Sequence, residues 1–108
     1  MIPETIGTLR GAKKLDLSLR LCHPTADRIP LAVTESMELD EALMACIDRI
    51  TIAKRELRAL VKSGGTASIA VGWFCKGDSG GTISSEVLAR MSRLKLTLDF
   101  YLYFSTGN

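Results

Sequence analysis

Apolar side chains alternate strictly with polar or tyrosine side chains in two stretches near opposite ends of this 108-residue chain. The first stretch places a leucine at every second position from Leu15 to Leu21, and the second runs from Leu96 to Phe104. A period of two is typical of a strand that buries one face. Because a strand cannot cover its own apolar face, the pattern predicts a sheet that holds both stretches side by side beneath another element.

A long amphipathic segment between the two stretches is predicted to pack on the apolar face of this sheet. Apolar residues keep three-and-four spacing over 39–62, which predicts one helix. Asp40 and Glu41 suit its positive N-terminal end, and Gly64 follows its C-terminal end. The β-branched run Ile50-Thr51-Ile52 is the point where we expect this helix to bend or divide.

Three further elements follow from local signals. Alternation over 29–34 predicts a second strand, and Pro30 confines that strand to an edge or a bulge. The stretch from Thr66 to Cys75 predicts another strand. Ser84 is the predicted N-cap of a short helix that runs to about Leu94.

The resulting order β-β-α-β-α-β predicts the fold class. Two helices on one face of a four-stranded mixed sheet are the economical α+β arrangement, since each helix covers apolar sheet surface. Residues 1–12 mix Pro, Thr and Gly without a period, so we expect a flexible lead-in. Residues 13–105 then form a single domain.

Charge and cysteine usage narrow the function classes. The 14 basic and 12 acidic residues give a net charge of +2, so we expect no binding to nucleic acid. We interpret the basic outer face of the long helix as a solvated surface. Three cysteines without C-x-x-C spacing indicate reduced thiols rather than disulfides or a zinc site.

The first residues of the chain and the length of its apolar stretches bear on the cellular compartment of the protein. The first residues do not combine a basic start with a long apolar run, so no secretory signal is predicted. No stretch approaches the roughly 18 apolar residues that span a bilayer. We expect a cytoplasmic protein without a membrane partner, metal or cofactor.

The segment from Cys75 to Gly81 looks like the nucleophile loop of chymotrypsin-like serine proteases. In that interpretation Ser79 would need a general base, and His23 is the single histidine. His23 precedes a proline and lacks the sequence context of the protease histidine. The chymotrypsin-like family folds as two β-barrels, which does not fit the long helix predicted over 39–62. We therefore reject the protease interpretation and predict a glycine-rich connection.

Several short stretches together carry a family resemblance. They are Leu19 to Pro24, Ser36 to Leu43, Gly72 to Phe74, Gly80 to Ser84, Leu88 to Met91 and Leu98 to Tyr101. On these stretches the chain resembles a bacterial family known as domain of unknown function 4279, over most of 15–103. The resemblance implies a fold and no particular chemistry, because the family has no established activity.

One departure from the family pattern follows the pair His23-Pro24. Family members carry a further segment there, which looks like a helix, a small-residue turn and a basic stretch leading into an aromatic strand. In this chain the pair runs almost directly into the strand predicted over 29–34. Any family site that depends on the missing segment is therefore not transferred.

Polar positions of the first and last strands alternate onto the sheet face away from the helices. Arg20, Asp99, Tyr101 and Tyr103 are expected on that face, with Trp73 or Phe74 near them. The alternative interpretation is a small ligand-binding domain or enzyme, with a pocket near Arg20, His23, Trp73, Asp99 and Tyr101. We also expect Arg20 and Asp99 to form a structural ion pair.

The main interpretation is a non-enzymatic binding or protein-interaction domain with a regulatory or immunity-like role. We identify no catalytic constellation in the sequence. Leu, Phe and Tyr side chains on both sides of the last strand predict an apolar surface too large for a monomer. We therefore expect a homodimer in which the uncovered sheet face packs on a second copy.

Overall fold

The computed structural model describes residues 14–22, 25–31, 37–76 and 80–105. The elements, in chain order, are β1 (Lys14–Cys22), β2 (Ala26–Leu31), α1 (Leu39–Thr51), α2 (Lys54–Lys62), β3 (Thr66–Lys76), α3 (Ser85–Arg93) and β4 (Leu96–Ser105). The α+β class and the four-stranded mixed sheet are confirmed. The lead-in predicted over 1–12 lies outside the described residues.

The sheet has the strand order β2-β1-β3-β4. β1 runs antiparallel to β2 and β3, whereas β3 and β4 are parallel. One row across the sheet pairs Leu17 with Val71, and Val71 with Phe100. The expectation that the first and last strands are neighbours is wrong, because β3 lies between them. A crossover through α3 places β4 on one side of β3, and β1 occupies the other side.

The predicted long helix is two helices, so the described part of the chain has three helices rather than two. α1 ends at Thr51, whose Oγ1 donates to the carbonyl oxygen of Ile47 at 2.7 Å. Ile52 follows with 86% of its surface exposed, and α2 begins at Lys54. The division falls in the β-branched run, where restricted side chains and backbone-bonding threonine weaken a helix. Gly64, with φ of 100°, follows α2 as expected.

The second strand begins earlier than its alternation predicts. β2 spans Ala26–Leu31, so it begins at Ala26 rather than at residue 29, and its pairing with β1 begins at Cys22 and Ala26. Residues 32–36 lie outside the described part of the chain. β2 is an edge strand, as Pro30 predicts.

The helices pack on one face of the sheet. Odd-numbered strand residues such as Leu17, Ile69 and Val71 are buried in one cluster with Leu43 and Ile47 of α1. Burial of each such side chain stabilises the fold by about 1.5–3 kcal/mol. The same cluster includes Leu39, Ala42, Cys46, Leu57, Val87 and Met91. On the opposite face, away from the helices, lie the even-numbered residues of β1, β2 and β3 and the odd-numbered residues of β4.

Ser84 caps α3 as predicted and also ties it to α1. Its Oγ accepts a hydrogen bond from the backbone N–H of Val87 at 3.2 Å. Its own N–H donates to Oδ1 of Asp40 at 2.7 Å. The cap satisfies one of the backbone donors that a helix start leaves without an intrahelical partner.

We expect Ser84→Ala to lower the free energy of unfolding by about 1 kcal/mol, because the cap is lost while the backbone bond to Asp40 can persist. Urea unfolding followed by circular dichroism measures the change. Ser92→Ala is the matched control, since Ser92 is exposed within α3. Equal stability of the two variants would contradict the capping role.

Candidate ligand-binding cleft

The sheet face on which none of the described helices packs, the uncovered face, carries a cleft of about 340 Å³. Residues of all four strands line this cleft. Its floor consists of Ser18 from β1 and of Ala70 and Gly72 from β3. These three residues are buried, and Ser18 is only 1% exposed. Small side chains on two adjacent central strands leave a depression, while larger residues on both sides form its walls.

An aromatic wall stands on the β3–β4 side of the cleft. The rings of Phe74 and Tyr103 stack with centroids 4.5 Å apart and an angle of 10° between their planes. A Cβ at Gly72 would lie 3.3 Å from Cε1 of Phe74, tighter than an ordinary contact. Glycine at this position therefore lets the Phe74 ring lean over the floor.

Two arginines form the polar part of the cleft. Nη1 of Arg20 donates to the hydroxyl of Tyr101 at 2.8 Å, which joins β1 to β4 across the face of β3. Arg28 donates through Nε to Oγ of Ser18 at 3.2 Å, and its Nη2 lies 3.4 Å from Oδ2 of Asp16. The ion pair is more than half exposed, so it orients Arg28 more than it stabilises the fold.

The structure brings together two of the five predicted pocket residues. Arg20 and Tyr101 line the cleft and are hydrogen-bonded to each other. Asp99 lies on the same face, in register with Ala70, but does not line the cleft.

The predicted ion pair between Arg20 and Asp99 is not formed among the described residues, where Arg20 bonds to Tyr101. The long guanidinium side chain reaches diagonally across β3 to the phenol, and strand register alone does not indicate this reach.

Trp73 cannot join the cleft, which corrects its predicted placement. It is 3% exposed and belongs to the core on the helix side, since it is in register with Leu15 on the buried face. Its neighbour Phe74 takes the expected aromatic position instead. His23 lies outside the described residues, so its predicted part in the pocket has no placement here.

Sequence reasoning missed Arg28 and Asp16 as cleft residues. The signal that finds them is the hairpin register, which pairs Arg28 with Arg20 and so places both guanidinium groups on one face. The alternation predicts that the second strand begins at residue 29, three residues after its start at Ala26 in the structure. Arg28 therefore falls outside the predicted strand.

A second, apolar groove of about 590 Å³ lies on the helix side, between β2 and the α1–α2 pair. Ile29 and Ile52 expose apolar surface beside it, and Arg49 and Glu56 are its charged lining residues. Its apolar lining contrasts with the donors and acceptors that line the cleft. The cleft is therefore the better candidate for a ligand that must be oriented.

Other candidate chemistry does not assemble in the described part of the chain. Cys22 is exposed, whereas Cys46 and Cys75 are buried, and these three cysteines form no disulfide with one another. Ser79 of the protease-like loop lies outside the described residues. No group of three or more metal-ligating side chains, and no helix long and apolar enough to cross a membrane, occurs within residues 14–22, 25–31, 37–76 and 80–105.

Comparisons with protein-family models, with curated proteins and with solved structures found no match for this chain.

Burial raises the pKa of the Cys46 thiol from 9.0 to about 11, and nearby Arg49 opposes part of this rise. The folded state then holds the proton more tightly than the unfolded chain does. This stabilisation is fully present below pH 9 and is lost as the pH rises toward 11.

We expect the Cys46 contribution to fall by about 1 kcal/mol between pH 8 and pH 10. Urea unfolding at both pH values, with Cys46→Ala as the control, isolates this effect from tyrosine and lysine titration. The variant should be less stable at both values, but its loss between them should be smaller. An equal loss in both proteins would contradict the raised pKa.

Proposed function

We propose that this protein is a non-enzymatic protein-interaction domain that self-associates through its edge strand β4. The observation that carries the proposal is a run of four exposed large apolar residues, from Phe100 to Tyr103, on that strand. Leu102 alone exposes 56% of its surface. Strand alternation places these side chains on both faces, so the apolar surface follows the edge rather than one face.

The two edges of the sheet differ in their protection. β2 has six residues and carries Pro30 together with the charged Asp27 and Arg28, which are features that block pairing between sheets. β4 has ten residues, no proline and a single charge at Asp99. A long apolar edge of this kind is a template for another strand. The contrast supports pairing through β4.

Edge pairing fits the uncovered face better than the face-to-face packing expected from the sequence. The centre of that face holds Asp16, Arg20 and Arg28, and Asp99 lies on it near β4. A second copy packed flat against it would remove these charges from water, which is costly without matched partners. Pairing along β4 leaves them solvated and covers part of the exposed apolar run.

A second copy is the occupant that β4 itself suits. In an antiparallel pair with its two-fold axis at Phe100, Leu98 lies opposite the partner's Leu102 on the helix side. On the other side Asp99 lies opposite the partner's Tyr101, so like charges do not meet. Two four-stranded sheets would become one continuous sheet, with helices on a common face.

The biological setting is part of the same proposal. Three cysteines that form no disulfide with one another support a reducing compartment, and we propose that the protein is cytoplasmic. A self-associating domain of this size suits a regulatory or immunity-like role. Kinship with the bacterial domain family that the sequence resembles also belongs to this proposal.

Leu102→Lys should convert the dimer to a monomer, because a lysine on an edge strand disfavours pairing. The dissociation constant of the dimer should be at least about tenfold higher in the variant than in the wild type, which corresponds to about 1.4 kcal/mol. Sedimentation velocity over a concentration series measures the constant. Circular dichroism confirms that the variant is folded.

Ile52→Lys is the matched control, since it adds the same charge at an exposed isoleucine between α1 and α2. It should leave the dimer intact. A wild-type chain that stays monomeric at its highest soluble concentration would overturn the proposal. A dimer that survives Leu102→Lys unchanged would show that β4 is not the interface.

A further inference from the structure

We infer that the cleft on the uncovered sheet face binds a small carboxylate with a planar apolar body. The inference goes beyond self-association and does not rest on it, because the lining residues of the cleft belong to one copy of the chain. Four observations support it: the different partners of the two arginines, the donor geometry at Tyr101, the small-residue floor and the aromatic wall.

The two guanidinium groups of the cleft differ in their partners. Arg28 is held by Asp16 and Ser18, so its charge is balanced within the cleft. Arg20 donates to the neutral hydroxyl of Tyr101, and no carboxylate of the described residues is within ion-pair distance of it. Asp99 is on the same face but beyond that distance. An anion at Arg20 therefore supplies the missing countercharge.

Tyr101 adds a second donor beside Arg20. Its oxygen already accepts the guanidinium hydrogen bond at 2.8 Å, so its own O–H hydrogen is directed away from Arg20. A hydroxyl that accepts from a cation is also polarised as a donor. The remaining N–H groups of Arg20 and this O–H can bind the two oxygens of one carboxylate.

The floor and the aromatic wall select the body of the ligand. The Phe74 ring leans over Gly72, where a Cβ would lie 3.3 Å from the ring, so the ring forms a side wall next to the small residues Ser18 and Ala70 of the floor. Phe74 is itself braced by its stack on Tyr103. A flat apolar group fits beside such a ring and over a floor of small side chains. The volume of about 340 Å³ limits the ligand to a small molecule.

The test uses 2-naphthoate as the probe and 2-naphthamide as its neutral isostere. Both are titrated into the ¹⁵N-labelled full chain, and amide shifts are followed by NMR. We expect saturable shifts at Ser18, Ala70, Gly72 and Tyr101 with naphthoate. We expect naphthamide to bind at least about tenfold more weakly, since it cannot balance the Arg20 charge.

Two variants separate the charge from the hydroxyl. Arg20→Gln should weaken naphthoate binding at least about tenfold. Tyr101→Phe keeps the ring and should weaken binding about threefold. Arg58→Gln, which removes an exposed charge from α2, is the control and should bind as the wild type does. The spectra themselves report whether each variant is folded.

Equal affinity for naphthoate and naphthamide would overturn the inference, and so would wild-type affinity in Arg20→Gln. Shifts confined to Ile29, Ile52 and their neighbours would place the probe in the apolar groove and would also overturn it. Leu102→Lys should bind naphthoate with unchanged affinity, because its side chain is on the other face. That result keeps failure of the cleft distinguishable from failure of the dimer.

Discussion

The antiparallel pairing of β1 with β3 is the constraint on which the rest of the structure depends. It sets Leu17 opposite Val71 on one face and Ser18 opposite Ala70 on the other. A slip of one residue would send a whole set of side chains to the wrong face. Because the leucines of β1 must be buried, this register is strongly specified. The buried core and the cleft floor are thus two consequences of one alignment.

The chain connections explain why the described helices cover one face of the sheet. α1 and α2 connect β2 to β3, and α3 connects β3 to β4. These helices pack in the core with odd-numbered residues of β1 and β3 and with Leu96 of β4. No residue of these three helices lines the cleft on the other side. The polar side chains on that side remain available for binding because the topology leaves no described element to cover them.

Much of this fold was predictable because its signals are local. Leucine alternation gave β1, three-and-four spacing gave the helical segment, and Ser84 marked the start of α3. Strand order was not predictable in the same way, because nothing local to β1 or β4 says which strand will lie beside it. The placement of β3 between them follows from tertiary packing.

The cleft was predictable only in part, again for physical reasons. Alternation placed Arg20 and Tyr101 on a common face, and the structure joins them. It did not separate Trp73 from Phe74, because β3 carries apolar side chains on both faces. Whether Arg20 would reach Asp99 or Tyr101 depends on the path of a long flexible side chain. No sequence pattern encodes that path.

The alignment of β1, β3 and β4 is tested most directly by backbone proton contacts in a NOESY spectrum of the labelled protein. The account predicts contacts between Leu17 and Val71, and between Val71 and Phe100, with none between Leu17 and Phe100. Contacts that pair Ser18 with Val71 would contradict it. Such a shift would turn the cleft residues toward the helices and remove the uncovered polar face.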